Sequence, residues 1–285
     1  MSPGGVVGRT EPPRNDVGEV LRLSAEHLAR KGVESPRLDA ELLLGKALGL
    51  SRLDLYLHHD RPLTPPERDS VRELVRRRAG REPLAYVLGA WGFRGLTLRC
   101  DPRALVPRPE TEIVVERCLE LLEGLETPHV LDVGTGTGAI ALALAREHPG
   151  ARVTGLDRSP AALALARENA AATGIEVELV EGDALEGLPP GPWELVVSNP
   201  PYVLEGEELP PELSFEPRQA LVASGQTEAI ARGARAVLRG PLVLEVHGEH
   251  AGEAAERLRS LGYADVRIGR DLAGRERVVE GRWEQ

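Results

Sequence analysis

Two cysteines, Cys100 and Cys118, are all that 285 residues contain, and they stand apart from each other and from any histidine pair. That excludes a disulfide framework and gives no zinc-like spacing, so both read as ordinary semi-buried residues. No apolar run reaches roughly 18 residues, so no membrane-spanning helix is predicted. The stretch Met1 to Asn15 is rich in Pro and Gly and has no apolar core of the signal-peptide kind, which makes the cytoplasm the expected location. Positive charge is also scarce: 35 Lys and Arg face 45 Asp and Glu, for a formal net charge of −10. Tight binding to a phosphate backbone comes from neutralising phosphates, so no stable nucleic-acid binding is expected, although a nucleic-acid substrate stays open. Lysine occurs only at Lys31 and Lys46, a compositional bias that carries no functional weight. Hydrophobic residues make up 41% of the chain, and the length suits two domains.

Residues 1–16 read as a mobile tail, by their Pro, Gly and polar content. From Val17 apolar residues recur at helical spacing up to Gly32, which can end the helix in a left-handed cap. A second helix follows Ser35-Pro36, with Ser as the cap, and runs to Gly49. A third begins at Thr64-Pro65-Pro66-Glu67, where Thr and Glu three residues apart form a capping box. Residues 17–80 are thus predicted to be a small helical bundle, with no catalytic constellation. His58 and His59, adjacent at a helix end, point different ways and make no metal site.

Residues 81–108 read as a connector with a β-hairpin, carried by the alternation of Leu96-Thr97-Leu98-Arg99 and by several Gly and Pro turns. Then Val106-Pro107-Arg108-Pro109-Glu110-Thr111-Glu112 leads into an apolar helix. The plain reading is a helix start; the Thr and two carboxylates could also face a cationic ligand.

Residues 109–285 carry the sharper patterns. His129 to Val133 is a buried-type strand, and Gly134-Thr135-Gly136-Thr137-Gly138 turns it into an Ala/Leu helix. Glycines there admit a ligand close to the backbone, and free N–H groups at the helix start favour an anionic group. A second strand, Val153 to Leu156, closes with Asp157, placed to accept both ribose hydroxyls of a nucleoside. This is a βαβ nucleoside-binding half. Gly134-x-Gly136-x-x-Ala139 also satisfies the dinucleotide fingerprint, so a nicotinamide or flavin cofactor competes with S-adenosylmethionine.

Later features favour the methyl donor. After a third strand, Asp183 could reach the exocyclic amine of adenine. The fourth strand, Leu195 to Val197, delivers Asn199-Pro200-Pro201-Tyr202 at its carboxyl end, where doubly wound sheets keep their chemistry. In isolation this tetrapeptide is a turn. Beside a nucleoside site it is a holder for a planar NH2 group: Asn199 accepts one N–H, a neighbouring backbone carbonyl the other, and Tyr202 offers a flat face. The prolines leave the loop little backbone freedom to lose on binding. No general-acid histidine or hydride-positioning cluster accompanies it. A further helix, a fifth strand from Leu242 to Val246, a last helix and an antiparallel pair complete the sheet. Phe215-Glu216-Pro217-Arg218 lies in a segment long enough to cover a site. His247 and His250 read as surface residues.

The chain resembles the release factor glutamine N5-methyltransferases of the HemK/PrmC family, from Val17 to Arg282. The resemblance rests on Ser35 to Leu44 (Ser-Pro-Arg-Leu-Asp-Ala-Glu-Leu-Leu-Leu), Arg81-Glu82-Pro83-Leu84-Ala85-Tyr86, Val106 to Glu112, Gly134 to Gly138, Ser198 to Tyr202, and Phe215 to Arg218. Asn-Pro-Pro-Tyr is shared with adenine-N6 DNA methyltransferases and with the ribosomal-protein glutamine methyltransferase; the other stretches are more selective. The resemblance implies a seven-stranded Rossmann-like methyltransferase sheet behind a helical substrate-recognition domain. It implies S-adenosylmethionine, leaving as S-adenosylhomocysteine, at Gly134, Thr135, Gly136, Thr137, Gly138 and Asp157. It also implies methylation of the Gln of the Gly-Gly-Gln motif in class 1 peptide chain release factors. Asn199 and the Pro200 carbonyl are then expected to hold the acceptor amide, with Tyr202 on its face. Two departures stand out: Ala184 stands where some relatives carry an aromatic, and Val246-His247-Gly248-Glu249-His250 lacks the usual Gln. Alternatives are glutamine methylation of a ribosomal protein, adenine-N6 methylation of nucleic acid, and a non-catalytic binding module.

Overall fold

The computed structural model describes residues 15–203 and 205–283, which divide into two compact units at Leu88/Gly89. The tail expected over residues 1–16 lies outside the described residues except for Asn15 and Asp16. Asp16 is not tail: its Oδ1 accepts the Glu19 amide at 2.8 Å and caps the first helix.

The described residues of the first unit form five helices, α1 (Val17–Arg30), α2 (Pro36–Leu48), α3 (Arg52–Leu57), α4 (Pro65–Ala79) and α5 (Leu84–Leu88). Their apolar faces meet over Leu21, Leu28, Leu43, Leu44, Leu55 and Val71. Gly49 ends α2 at φ 66°, in the left-handed region glycine adopts without strain. Glu67 reaches back to Thr64 as the capping box predicted, whereas Ser35 makes no side-chain cap. The Ser35 to Leu44 motif earns its acids elsewhere. Asp39 accepts from Arg78 Nε at 2.7 Å, both buried, and Glu41 accepts from Arg37, Arg52 and the Tyr56 hydroxyl. The predicted connector is not one element, because α5 closes the helical unit while the hairpin belongs to the second unit.

The second unit begins with that hairpin, β1 (Ala90–Phe93) and β2 (Leu96–Arg99), and α6 (Thr111–Leu121). The Rossmann-like half follows as β3 (His129–Val133), α7 (Ala139–Glu147), β4 (Arg152–Asp157), α8 (Pro160–Thr173) and β5 (Glu178–Glu181). Then come β6 (Leu195–Ser198), a 3-10 turn at Pro211–Phe215, α9 (Arg218–Leu221), α10 (Gln226–Val237), β7 (Pro241–Glu245), α11 (Ala251–Ser260), β8 (Ala264–Arg270) and β9 (Glu276–Arg282). The seven-stranded sheet has the order β5-β4-β3-β6-β7-β9-β8, with the first five strands parallel and β9 antiparallel to both neighbours.

The inner strands are near-continuous apolar runs because helices cover both faces. Side chains alternate: Val130 and Val197 enter a core with Ile140, Leu142 and Val115, while Leu131 and Val196 enter another with Ile230 and Leu242. From β3 the chain winds outward to β5, then returns to lay β6 on the other side of β3. That reversal opens a crevice beyond the carboxyl ends of β3 and β6. In register Val133 faces Ser198, so the residues that follow, Gly134 and Asn199, leave the sheet side by side. Ser198 Oγ donates to Val133 O at 2.7 Å and fastens the two strands at that point.

Candidate active site

The crevice is a cleft of about 1050 Å³, its open mouth included. Of the residues singled out from sequence, Gly134, Thr135, Gly136, Thr137, Asp157, Asp183, Asn199, Pro200 and Pro201 line it. Gly138 and Tyr202 do not. Gly138, at φ 82°, starts α7, and a Cβ there would meet Leu142 at 3.2 Å and Ala166 at 3.4 Å. Tyr202 instead stacks on His247, ring centroids 5.8 Å apart and planes at 28°. His247 is exposed as expected, but it is not idle surface.

The glycine loop is tied to the end of β4. Gly134 N and Thr135 N both donate to Leu156 O, and Gly136 N donates to Asp157 Oδ2 at 2.9 Å. Asp157 Oδ1 accepts from Ser159 N at 2.9 Å. Burial still pushes the Asp157 carboxyl above its ordinary value against these bonds. Asp183, the second acid on this side, accepts from Leu185 N and lies 3.4 Å from Arg158 Nη1.

Beneath the loop lies Asp132, which sequence reading passed over as a strand residue. Its Oδ2 accepts from Thr135 Oγ1 at 2.7 Å and from Ala141 N at 3.2 Å, while Oδ1 has no partner among the described residues. Burial lifts its carboxyl to about 7. On the opposite wall Asn199 Nδ2 donates to Thr111 Oγ1 at 3.3 Å, so the predicted helix start does enter the site. Of the Thr and the two carboxylates only Thr111 does so, and Val106, Pro107 and Arg108 ahead of it also line the cleft. Glu112 turns away to accept the Arg94 amide, and Glu110 faces Arg275 and Arg277, so no three-group cation holder forms.

Phe215-Glu216-Pro217-Arg218 is more than surface. Glu216 is buried; its Oε2 accepts from Val106 N at 3.0 Å and its Oε1 from Arg108 Nη2. Pro217, Gln219 and Ala220 then line the cleft. The segment returns to its origin where Val203 N donates to Leu221 O and Ala223 N to Val203 O. Among the described residues no group of three or more His, Cys, Asp or Glu could hold a metal ion. Cys100 and Cys118 are buried free thiols, as their isolation implied, and burial pushes Cys100 up to about 12.

Residues 19–89 match the family described as the PrmC N-terminal domain, and residues 112–235 the methyltransferase small domain. A release factor glutamine methyltransferase of Deinococcus radiodurans is 44% identical over 273 residues, covering 93% of this chain and 97% of the relative. The chain belongs to the release factor glutamine methyltransferase family. The protein of that name from Chlorobaculum tepidum is 44% identical over 274 residues, 90% of this chain and 93% of the relative. Among solved structures, the ribosomal protein L11 methylase of Lactobacillus delbrueckii subsp. bulgaricus is similar in fold, with a TM-score of 0.50 at 20% identity over 66% of this chain and 86% of that one.

The cleft fits the methyl donor of this family on its own features. S-adenosylmethionine brings a ribose diol, an adenine amine and a cationic end. Asp157 and Asp183 stand at one side, an unsatisfied carboxylate oxygen of Asp132 lies under the loop, and Ala104, Leu105, Ile140, Ala162 and Ala184 provide apolar walls. Ala184, where some relatives carry an aromatic, does line the cleft. Gly134 and Gly136 have φ of 76° and 57°, backbone that a side chain would strain.

Proposed function

We infer that this protein methylates the side-chain amide nitrogen, N5, of the glutamine in the Gly-Gly-Gln motif of class 1 release factors. One observation carries the inference: the glycine loop and Asn199-Pro200 leave adjacent, hydrogen-bonded strands and line one cleft, so a donor and a planar acceptor can share a wall. S-adenosylmethionine, when bound, supplies an electrophilic methyl group on a sulfonium. The amide nitrogen is a poor nucleophile because its lone pair is delocalised, so the protein's work is positioning and electrostatics. Asn199 Oδ1 and the Pro200 carbonyl accept the two N–H groups of the acceptor and draw off charge as the new bond forms, and one of those two protons is then lost to solvent. One face of Tyr202 rests on His247; we assign the acceptor amide to the other. Asp157 takes the ribose hydroxyls, and Glu216 keeps Val106 to Arg108 against the cleft.

The helical unit, predicted over 17–80, is assigned the grip on the release factor. What supports this is an exposed apolar set on α2 and α3, formed by Leu38, Leu53, Tyr56 and Leu57. No helix among the described residues is long and apolar enough to cross a membrane, and a release factor substrate puts the enzyme in the cytoplasm. The test is mass spectrometry of release factor after incubation with the protein and S-adenosylmethionine. One added methyl on the Gly-Gly-Gln glutamine is expected. Transfer to a ribosomal protein or to DNA, with none to release factor, would replace this reading by one of its rivals.

A further inference from the structure

Asn169 on α8 lies behind the cleft wall, and only 1% of it is exposed. Its Oδ1 accepts from Arg99 N at 2.7 Å, while its Nδ2 donates to Arg99 O at 3.2 Å and to Thr137 O at 2.9 Å. A primary amide carries an acceptor and a donor side by side, so it meets the N–H and C=O of Arg99 as a neighbouring strand would. One proton is left over for Thr137. Turned the other way, the amide would set NH2 against an N–H and Oδ1 against carbonyl oxygens, so a single orientation fits. Glu168, one residue earlier, holds the same stretch from outside: it accepts from Arg99 Nη1 at 2.7 Å and from Arg103 Nη1 and Nη2 at 2.7 and 2.9 Å. Between them Ala104 packs on Ala162 and Leu165 of α8. Arg103, Ala104 and Thr137 all line the cleft.

We propose that Asn169 is a positioning residue for the methyl donor: by joining Thr137 to Arg99 it sets the spacing between the glycine loop and the wall at Arg103 and Ala104, the slot for the donor's nucleoside end. That placement rests on the reading of Asp157 as the acceptor of the ribose hydroxyls. Gly136 brings the parts together. Its N–H donates to Asp157 Oδ2, and a Cβ built on it would stand 3.9 Å from the Cβ of Ala104, so loop, wall and acid meet at one residue. Neither partner of Asn169 fixes this spacing by itself. The loop passes through Gly134, Gly136 and Gly138, all at positive φ, and residues 100–110 belong to no helix or strand. Asn169 does not line the cleft, so it acts through the two segments it joins. A slot set before the donor arrives spares binding the cost of ordering two loops.

The test uses the full chain. In Asn169→Ala the S-adenosylhomocysteine Kd, measured by calorimetry well below the melting temperature, should rise about tenfold, the change that losing one buried hydrogen-bonding group corresponds to. Adenosine should lose the same factor, and KM for release factor should stay as it is. Glu168→Ala, whose ion pairs are partly exposed, should weaken both ligands only about two- to threefold. Wild type gives a reading that needs no variant. If the donor binds only the form in which the Asn169 bonds are made, bound S-adenosylhomocysteine keeps them closed, and the Asn169 NH2 protons exchange with solvent more slowly in the complex. A lowered melting temperature with unchanged Kd, or exchange that the ligand leaves unaltered, reduces Asn169 to a structural residue and overturns the proposal. So does a loss for S-adenosylhomocysteine that adenosine does not share, since the slot is then not the nucleoside's. Asp157→Asn tests the reading beneath: adenosine binding that survives it but falls in Asn169→Ala upholds the slot and overturns the ribose role of Asp157 instead.

Discussion

The buried acids of the helical unit and two of those in the second unit are treated in opposite ways, although Glu216, Asp271 and Glu280 of the second unit are paired with arginines. In the helical unit each is neutralised: Asp39 by Arg78, Glu41 by Arg37, Arg52 and Tyr56. Burial pushes Glu41 up, but the hydrogen bonds from Tyr56, Arg52 and Arg37 outweigh it and hold its carboxyl below the ordinary value. In the second unit, Asp132 and Glu245 each keep one oxygen without a partner among the described residues and are lifted to about 7. Full pairing marks polar groups that hold a shape. Incomplete pairing marks groups whose remaining partner is a ligand or a proton, since such atoms cost stability when left alone.

The comparison breaks most sharply at Asp39. Asp39→Ala leaves the buried Arg78 charge without its carboxylate and should cost that unit about 3–5 kcal/mol, read by calorimetric unfolding, with S-adenosylhomocysteine affinity unaltered. Asn199→Ala is the converse. Turnover should drop about 10²- to 10³-fold, as for a lost transition-state hydrogen-bonding group, while melting temperature and cofactor affinity barely move. Equal loss of rate and affinity would put Asn199 in the cofactor pocket. Replacing Leu53 and Leu57 together by Asp should raise KM for release factor about tenfold, leaving kcat and fold intact. An unchanged KM would remove the helical unit from substrate recognition.

The smallest effect is on stability against pH, and its sign separates the units. A raised native pKa means the folded state holds a proton that the unfolded chain has already released. Asp132 and Glu245 therefore stabilise the second unit less and less as pH rises from about 4 to about 7, and no further change follows above. Glu41 is shifted the other way. Its contribution is complete above the ordinary carboxylate range and is lost only as pH falls below it. Urea unfolding at pH 5 and pH 8 should find the second unit weaker at pH 8, with Asp132→Asn flattening the difference and the helical unit indifferent.

The parallel strands were legible because the core is written in mostly apolar runs, most of them closed by glycine, Asp157 or Asn199. Helix ends were legible where a side chain near in sequence makes the bond, as Glu67 does for Thr64. What escaped was contact across distance. Nothing near Thr111 announces Asn199, 88 positions away, and nothing near Glu216 announces Val106, 110 positions away. Glu112 looked like a ligand-facing acid because its partner is a backbone amide, which no side-chain pattern encodes. The short helix α5 escaped because five residues do not complete enough periods to be distinguished from a turn. Asp132 and Glu245 lie inside strand runs, and their unmatched oxygens are visible only in three dimensions.

The hydroxyl of Ser198 on Val133 O has a consequence for how this chain can evolve. Because neighbouring strands run about 4.8 Å apart, the separation of the two loops is inherited from backbone pitch, and no hinge has to close to set it. Side chains along a strand change sides at every step, so deleting any one residue between Leu195 and Ser198 would swing Asn199 to the far side of the sheet. Drift in this protein is therefore free to resize the loops but not to recount that strand.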